Sequence, residues 1–214
     1  MAKAKKTKLP TKVVNYLEKH GVKHEILEHK IVYTAYDAAQ TMKKELDKIA
    51  KSLVVKADKD YFLVLIPANH NLDFAKLKKA ISKIKDKDVK VVKIPGEKIM
   101  ENALKIKSGA LTAFGNLHKL PVIVDKNLEK AKKAIFSSGS LNHSIEMAVK
   151  DFVKMEEAVL ENIGAKKKIK KQKTTPPKRK KAATTKKKST GKKKNPTNST
   201  KKKTTKKPVS KKKK

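Results

Sequence analysis

Two apolar runs separated by a short polar segment place the strongest constraint on how this chain folds. The runs, Ser52 to Val55 and Phe62 to Ile66, are rich in β-branched and other apolar residues, and Asp58-Lys59-Asp60 lies between them. This pattern is typical of two adjacent antiparallel strands joined by a tight turn. The sequence therefore predicts a β-hairpin over residues 49–68, around which the other elements must pack.

Lys51 stands at the start of the first of these strands, directly before the apolar run. No acidic residue follows it within the strand that could pair with its ammonium group. A lysine at a strand end commonly lays its apolar stem along the protein and extends its ammonium into water. That interpretation and a functional one, in which the cation faces a ligand, are both compatible with the pattern.

The distribution of charge divides the 214 residues into a body and a tail. Residues 166–214 contain 24 Lys and one Arg but no Asp or Glu, which leaves 32 basic and 20 acidic residues for the first 165 positions. The formal charge is therefore near +12 for the body and +25 for the tail. We expect a basic N-terminal extension over residues 1–10 and one folded domain over residues 11–163, a length that can bury a core.

Residues 164–214 are expected to form a disordered tail, because they contain too few apolar side chains to offset the entropy of the chain. Mobile cationic side chains release counterions from nucleic acid, which favours binding to a polyanion. The tail lacks aromatic residues for base stacking, so we expect binding without sequence preference. A solubilising extension is the alternative. The candidate nucleic-acid contacts are Lys167, Lys168, Lys178, Arg179, Lys180 and Lys187.

Hydrophobic periodicity predicts further helices and strands on both sides of the hairpin. Thr11 is the expected N-cap of the first helix, and Thr34 with Asp37 has the form of a capping box. Helices are expected from Thr11 to Gly21, Thr34 to Lys44, Asp73 to Ile84, onward from Pro95, and from Asp151 to Leu160. Strands are expected at 23–29, 89–94, 120–124, 134–137 and 144–149, with a turn at Ser138-Gly139. Because single helices alternate irregularly with strands, the predicted fold class is α+β.

The residue types and spacings argue against several kinds of site. The chain has no cysteine, which excludes disulfides, thiolate catalysis and cysteine-ligated zinc. His20 and His24 are spaced as helical metal ligands can be, but Gly21 lies between them, so we expect no metal. Glycine patterns for nucleotide binding and the serine-hydrolase elbow are missing, so we expect no cofactor. Two glycine-containing loops, Lys107 to Gly109 and Ser138 to Ser140, offer backbone N–H groups to an anion or are simple turns.

No apolar run approaches the roughly 18 residues of a membrane span, and the basic N-terminus lacks the apolar segment of a signal peptide. The absence of cysteine fits a reducing compartment. We therefore expect a cytoplasmic protein without a membrane partner.

The order of these segments resembles the YbaK family, the aminoacyl-tRNA synthetase-associated domain. The resemblance covers roughly residues 11–160 and rests on an ordered set of positions rather than on one motif. The set comprises His29, Thr34, Ala38-Ala39, Ile49 to Val54, Leu63 to Pro67, Asp73, Leu77, Gly109 to Gly115, Leu120 to Val122, Asp125 and Ser137 to Ser140. The family includes free-standing aminoacyl-tRNA deacylases and the editing insertion of bacterial-type prolyl-tRNA synthetases.

The resemblance implies a mixed β-barrel core with surrounding helices, and hydrolysis of the ester that joins a wrong amino acid to tRNA. It implies that Lys51 lines the pocket and contacts the substrate's carbonyl or terminal phosphate. Backbone amides near Gly109 and Gly139 would then hold the oxyanion. The substrate contacts that it implies are Thr34 near the pocket's entrance, Ser137 and Ser138 of a Ser-x-Gly turn, and His29.

Two positions depart from the family's pattern. Ala113 stands where the family's Gly-x-x-x-Pro loop has its proline, and Ser144 stands near an acidic residue that some members have. No side chain is a convincing general base, so the resemblance assigns the positioning of water to the substrate's own vicinal hydroxyl.

Two functions from different classes are compatible with the sequence. The first is editing in trans, in which the domain hydrolyses mischarged aminoacyl-tRNA and the tail raises the local concentration of RNA. Its partners would be the acceptor end of tRNA, other nucleic acid through the tail, and an aminoacyl-tRNA synthetase. The second is a non-catalytic nucleic-acid-binding protein that keeps the fold and coats DNA or RNA with a histone-like tail.

Overall fold

The fold is given by a computed structural model that describes residues 9–106 and 111–167. Six helices lie within these ranges: α1 (Thr11–His20), α2 (Ala35–Met42), α3 (Phe74–Lys85), α4 (Glu97–Leu104), α5 (Lys126–Glu129) and α6 (Val149–Met155). The strands of the same ranges are β1 (His24–Glu28), β2 (Ala50–Ala57), β3 (Asp60–Pro67), β4 (His70–Leu72), β5 (Val92–Lys93), β6 (Val122–Asp125), β7 (Lys133–Ser140), β8 (His143–Ala148), β9 (Val159–Glu161) and β10 (Gly164–Lys166). Short 3₁₀ helices cover Leu46–Lys48 and Gly115–His118.

The predicted hairpin is confirmed as β2 and β3, which lie within a five-stranded sheet of order β5-β2-β3-β6-β9. β2 pairs antiparallel with β3 along its whole length, whereas β6 joins β3 in parallel. The turn is shorter than predicted, because Asp60 already pairs with Ala57 and only Asp58-Lys59 connects the strands. Asp58 has a φ of 52°, the left-handed conformation that many two-residue hairpin turns require.

Both faces of β3 are buried, which explains its uninterrupted apolar sequence. Leu63 and Leu65 belong to the larger core, together with apolar residues of α1 and α6. Val64 and Ile66 face a second core, which α3 closes with Leu77, Ala80 and Ile81. Full burial of a leucine or isoleucine side chain contributes about 1.5–3 kcal/mol. This strand is therefore a major source of the domain's stability.

A three-stranded antiparallel sheet of order β1-β8-β7 meets the beginning of β2. A parallel bridge between Ile49 and Ile135 joins this sheet to the larger one. These two residues form a small buried cluster with Ala39 of α2 and with Ala68. The first residues of β2 therefore lie where the two sheets and α2 come together.

Two buried carboxylates, Asp125 and Glu156, fasten segments that are distant in sequence. Asp125 caps α5 by accepting the Asn127 N–H (2.8 Å), and it also accepts the N–H groups of Ile163 (2.9 Å) and Gly164. A Cβ atom at Gly164 would lie 2.8 Å from Asp125 Oδ2, so this close approach requires glycine. Glu156 accepts the N–H of Asn116 (3.0 Å), and burial raises the pKa of Glu156.

The helix starts predicted at Thr34 and Asp73 are confirmed, whereas the N-cap predicted at Thr11 and the helix start predicted at Asp151 are not. Thr34 caps α2 by accepting the Asp37 N–H (3.1 Å), and Asp73 caps α3 by accepting two backbone N–H groups. The prediction of Thr11 as an N-cap is wrong, because Pro10 occupies the cap position with an extended backbone and Thr11 is the first helical residue.

Several strand predictions need correction. The strand expected at 89–94 is limited to Val92–Lys93, and the helix expected at 151–160 begins earlier, ends at Met155 and is followed by β9. The expected turn at Ser138-Gly139 lies inside β7, and Leu141-Asn142 makes the connection to β8 instead. The tail boundary expected at residue 164 falls at the start of β10, whose Gly164 pairs with Leu72 of β4.

The predicted α+β class is confirmed. Within the described residues the barrel-like core takes the form of a five-stranded, a three-stranded and a two-stranded sheet, and these strands do not close into one barrel. None of the helices described is both long enough and apolar enough to span a lipid bilayer.

Candidate functional site

A pocket of about 440 Å³ opens where the two larger sheets meet α2. Its wall is formed by the first residues of β2, by β7, by the residue that follows β1 and by the first turn of α2. Four of the predicted site residues line it: Lys51, His29, Thr34 and Ser137. The fold therefore brings these four distant residues to one cavity.

Lys51 supplies the ammonium group of this pocket. It lies in β2, opposite Ile66 of β3, and is partly buried. Burial lowers the pKa of Lys51, and the nearby charge of Lys167 lowers it further. Within the described ranges no carboxylate forms a salt bridge with Lys51, and no Asp or Glu lines the pocket. Partial desolvation of an uncompensated cation is costly, and a polar or anionic ligand group would offset that cost.

His29 and Ser144 form a hydrogen-bonded pair in the same wall. His29 Nε2 lies 2.9 Å from Ser144 Oγ, and His29 Nδ1 lies 2.8 Å from the carbonyl oxygen of Lys30. Because a carbonyl oxygen only accepts, we assign the proton of the neutral ring to Nδ1, and Nε2 then accepts from the Ser144 hydroxyl. The ring orientation is thereby fixed, and Nε2 is the nitrogen that can take up a further proton.

Tyr33 and Thr34 form the rim of the pocket before α2. The Thr34 hydroxyl donates to Asp37 Oδ2 (2.7 Å) and accepts the Asp37 N–H, so capping occupies it. Thr34 therefore acts at the site chiefly by fixing the start of α2. Tyr33, which the sequence analysis did not single out, is 80% exposed beside the pocket. An exposed aromatic ring is a surface on which a nucleobase can stack.

The predicted Ser-x-Gly turn is a β-bulge within β7. The register to β8 shifts between Ser137 and Ser140, and Gly139 has a φ of 81°, which favours glycine. The Ser137 hydroxyl donates to the carbonyl of Leu111 (2.9 Å) and accepts the Gly139 N–H (3.3 Å). The hydroxyl of Ser137 thus holds the bulge together at the edge of the pocket.

The expectations for Ser138 and Gly139 need correction. Ser138 is fully buried and its hydroxyl donates to the carbonyl of His143 (2.6 Å), which is a structural contact rather than a substrate contact. Gly139 lines a different cavity from Lys51. Because its N–H is already bonded to Ser137, this geometry does not present the Gly139 amide to an oxyanion beside Lys51.

Ala113, at the position where the resemblance implies a proline, makes a hydrogen bond that proline cannot make. Its N–H donates to the carbonyl oxygen of Ser137 (2.9 Å). Next to it, Thr112 and Ser138 form an antiparallel bridge. Residues 111–113 are thereby attached to β7, and Leu111 becomes part of the pocket wall.

Some predicted site residues lie outside the described ranges: Gly109 and the tail residues Lys168, Lys178, Arg179, Lys180 and Lys187. Lys167 is described. Its N–H donates to the carbonyl of Asn69 (3.0 Å), and its ammonium donates to the carbonyl of Ala68 (3.3 Å). Its charge is close enough to lower the pKa of Lys51, so the first of the predicted tail cations lies near the pocket.

The wall of the pocket offers an ammonium, an imidazole and several hydroxyls. One of these, Ser52 Oγ, is buried and has no hydrogen-bond partner among the described residues. No group of three or more His, Asp or Glu side chains suited to a metal ion occurs in the parts of the chain that the structure describes. The arrangement can stabilise a developing negative charge beside Lys51 and can exchange a proton at His29.

The residues that line this pocket fall within the part of the chain that matches a known protein family. The model of a family described as "Aminoacyl-tRNA editing domain" matches residues 29–155, more than half of the chain. No curated protein matches the sequence. A solved structure described as a hypothetical protein superposes with a TM-score of 0.63 at 20% identity, covering 72% of this chain and 99% of that one. Another, described as "a putative trans-editing enzyme for prolyl tRNA synthetase", gives a TM-score of 0.62 at 20% identity, covering 75% of this chain and 99% of that one. At this identity the two structures establish a shared fold.

Proposed function

The chain belongs to the aminoacyl-tRNA editing domain family, and from this premise we propose that it is an aminoacyl-tRNA deacylase acting in trans on mischarged tRNA. The bond to be broken is the ester between an amino acid and the terminal ribose of tRNA. The pocket of about 440 Å³ has room for a small aminoacyl group and part of that ribose.

The observation that carries the proposal is the partly buried ammonium of Lys51, which has no carboxylate partner among the described residues. Ester hydrolysis places negative charge on the carbonyl oxygen as water adds to the carbonyl carbon. A fixed cation in a partly desolvated wall stabilises that charge more than it stabilises the neutral ester, and this difference lowers the barrier. Lys51 is therefore the proposed catalytic residue.

In the proposed reaction, water attacks the carbonyl carbon, and the bond between that carbon and the ribose oxygen breaks. The products are the amino acid and a tRNA with a restored hydroxyl group. The family resemblance assigns the positioning of the water to the vicinal hydroxyl of the substrate. His29, held in the wall by its bonds to Ser144 and Lys30, can take at Nε2 the proton that the water loses and pass it to the leaving ribose oxygen, which restores the hydroxyl group.

A panel of mischarged tRNAs tests this function directly. The full chain is incubated with alanine, serine or cysteine esterified to a tRNA that is specific for another amino acid. The same tRNAs carrying their correct amino acids serve as controls. We expect at least one mischarged ester to be lost much faster than it hydrolyses spontaneously, as measured by release of labelled amino acid. A salt-sensitive mobility shift with no loss of ester from any of them would instead favour the non-catalytic nucleic-acid-binding function.

Removal of residues 168–214 is expected to raise KM about tenfold at low salt and to leave kcat nearly unchanged. Of the 25 basic residues in 166–214, the cut spares Lys166 and Lys167 and removes 23, so it weakens the non-specific attraction of RNA. The cut follows Lys167 because β10 ends at Lys166 and Lys167 is bonded to Asn69. Steady-state kinetics over a salt series measures the effect.

The matched control for the truncation is a chain whose tail is replaced by an uncharged Gly/Ser segment of equal length. It should behave like the truncated chain, because the effect is assigned to charge rather than to length. A fall in kcat with an unchanged KM would contradict the role of the tail in substrate capture.

The partners and the location belong to the same proposal. They are the acceptor end of tRNA, other nucleic acid bound by the tail, an aminoacyl-tRNA synthetase that supplies mischarged tRNA, and the cytoplasm as the place where these meet.

A further inference from the structure

A second cavity, of about 430 Å³, lies against the β7 bulge and differs from the Lys51 pocket in its charge. Three lysines and a histidine line it: Lys12, Lys105, Lys119 and His118. Its described lining contains no Asp or Glu. Three smaller or more open cavities in the described part of the chain each include at least one acidic residue, although the protein as a whole is basic. A lining with three lysines and no carboxylate therefore distinguishes this cavity from the four others described here.

The lysines of this cavity have no carboxylate partners among the described residues, whereas five other lysines of the domain form salt bridges. Burial lowers the pKa of His118, and the charge of Lys12 lowers it further. Among the described residues these like charges have no carboxylate partner, and an anion placed among them would be attracted by each one.

The hydrogen bonds of His118 leave one ring nitrogen for a ligand. The Thr112 hydroxyl donates to the carbonyl of Phe114 (3.3 Å), so it accepts from the His118 Nε2–H, 3.1 Å away. His118 Nδ1 has no hydrogen-bond partner among the described residues. Protonation would make Nδ1 a donor and add a fourth positive charge to the lining of the cavity.

The two cavities share one structural element. Leu111 and Ser137 line the Lys51 pocket, while Thr112, one residue further, and Gly139, two residues further, line the cationic cavity. The paired segments that separate the cavities are held together by the Thr112↔Ser138 bridge. The two cavities therefore lie on either side of the same paired segments, within a few residues of each other along both segments of the pair.

We propose that the cationic cavity binds a backbone phosphate of the RNA next to its aminoacylated end. The inference rests on the proposed function, because the position of the ester in the Lys51 pocket is what brings that phosphate to the bulge. Lysine contacts to phosphate fix the register of a nucleic acid without reading its sequence. The cavity thus sets how far the 3′ end enters the pocket.

The test is the salt dependence of binding of the full chain to an uncharged acceptor-stem hairpin with a single-stranded 3′ end. The variant is Lys105→Glu/Lys119→Glu. The matched control is Lys79→Glu/Lys87→Glu, which changes the net charge equally on exposed lysines of and after α3. Loss of the contact to this one phosphate is expected to reduce the slope of log affinity against log salt by roughly 0.7 relative to the control variant. The slopes of the variant and of the control should be equal for the same hairpin without its single-stranded end.

A second measurement needs no variant. The His118 ring is followed by NMR in the wild-type chain, and its pKa is expected to rise when the hairpin is added, because a nearby anion favours the charged imidazole. Inorganic phosphate serves as the second ligand. A response to inorganic phosphate without a response to the hairpin would assign the cavity to free phosphate and overturn the RNA assignment.

Equal slopes for the two variants would also overturn the proposal, as would a difference that persists without the single-stranded end. The hairpin carries no amino acid, so these results do not depend on ester hydrolysis. A slope difference without deacylation of any mischarged tRNA would reject the proposed function and keep the phosphate site. Deacylation of a mischarged tRNA together with equal slopes would keep the proposed function and reject the phosphate site.

Discussion

Replacement of Lys51 by alanine is expected to lower kcat/KM for deacylation by on the order of 100- to 1,000-fold, the usual effect of removing one electrostatic stabiliser of an oxyanion. In the described residues Lys51 has no carboxylate partner and the lining of its pocket has no second ammonium. Lys167, the cation nearby, lies outside this lining and its ammonium donates to the carbonyl of Ala68, so it is not placed to replace Lys51. The loss should appear mainly in kcat, because the charge on the carbonyl oxygen develops in the transition state.

The variant Lys51→Met separates charge from packing, since methionine keeps an apolar stem against the wall but carries no cation. Lys56→Ala is the matched control: it lies on the same strand, outside the pocket, where its ammonium sits 5.4 Å from the centre of the Tyr61 ring. We expect Lys51→Met to lose as much activity as Lys51→Ala, and Lys56→Ala to keep it. Thermal unfolding of all three should show intact domains.

The pH profile provides an independent readout for Lys51. Burial and the charge of Lys167 lower the pKa of Lys51, so its ammonium is lost at a lower pH than that of an ordinary lysine. After subtraction of spontaneous hydrolysis, kcat/KM of the wild-type chain should fall on the alkaline side as Lys51 deprotonates. Lys51→Met should lack this fall. Wild-type activity in Lys51→Met, or an unchanged alkaline fall, would remove Lys51 from the mechanism.

The hairpin could be predicted from the sequence because its determinants are local. An apolar run, a polar turn and a second apolar run lie within about twenty consecutive residues, 49–68, and pairing of adjacent strands adds little loop entropy. The caps of α2 and α3 are equally local, since Thr34 and Asp73 bond to N–H groups two or three residues away.

The short strands β4 and β10 could not be predicted, because pairing rather than composition creates them. Gly164 opposes Leu72, so the partners are separated by most of the domain. The composition of β10, with its glycine and lysine, is closer to that of the tail than to that of a typical strand. The hydrogen bond from the Gly164 N–H to the buried Asp125 determines the position of this segment. The periodicity of apolar residues gives no signal for a bond between such distant positions.

The candidate site was predictable only in part for the same reason. The ordered resemblance to a known family placed Lys51, His29, Thr34 and Ser137 in one pocket, as the structure does. Ser138-Gly139 has the composition of a turn, but cross-strand pairing to β8 converts it into a bulge. The bond between His29 and Ser144 spans 115 positions, so spacing gives no signal for it.

Replacement of Asp125 by alanine is expected to lower the free energy of unfolding by about 3 kcal/mol, from a lost helix cap of about 1 kcal/mol and two buried N–H groups left without an acceptor at about 1 kcal/mol or more each. The carboxylate is fully buried, and its three acceptor contacts tie α5 to the segment that leads into β10. That segment continues to Lys167, whose charge lies near Lys51, so the variant should also lose order beside the pocket. Urea unfolding measures the first effect, and hydrogen exchange of the Ile163 and Gly164 amides measures the second.

Asp73→Ala is the matched control for Asp125→Ala, because Asp73 also caps a helix but its side chain is partly exposed, so that water can replace the lost acceptor. Its expected cost is about 1 kcal/mol, the value of a cap alone. The difference between the two variants therefore isolates the contribution of the buried amides of residues 163 and 164. If Asp125→Ala costs no more than Asp73→Ala and leaves exchange at those amides unchanged, the carboxylate does not hold β10, and the position of Lys167 beside the pocket must have another origin.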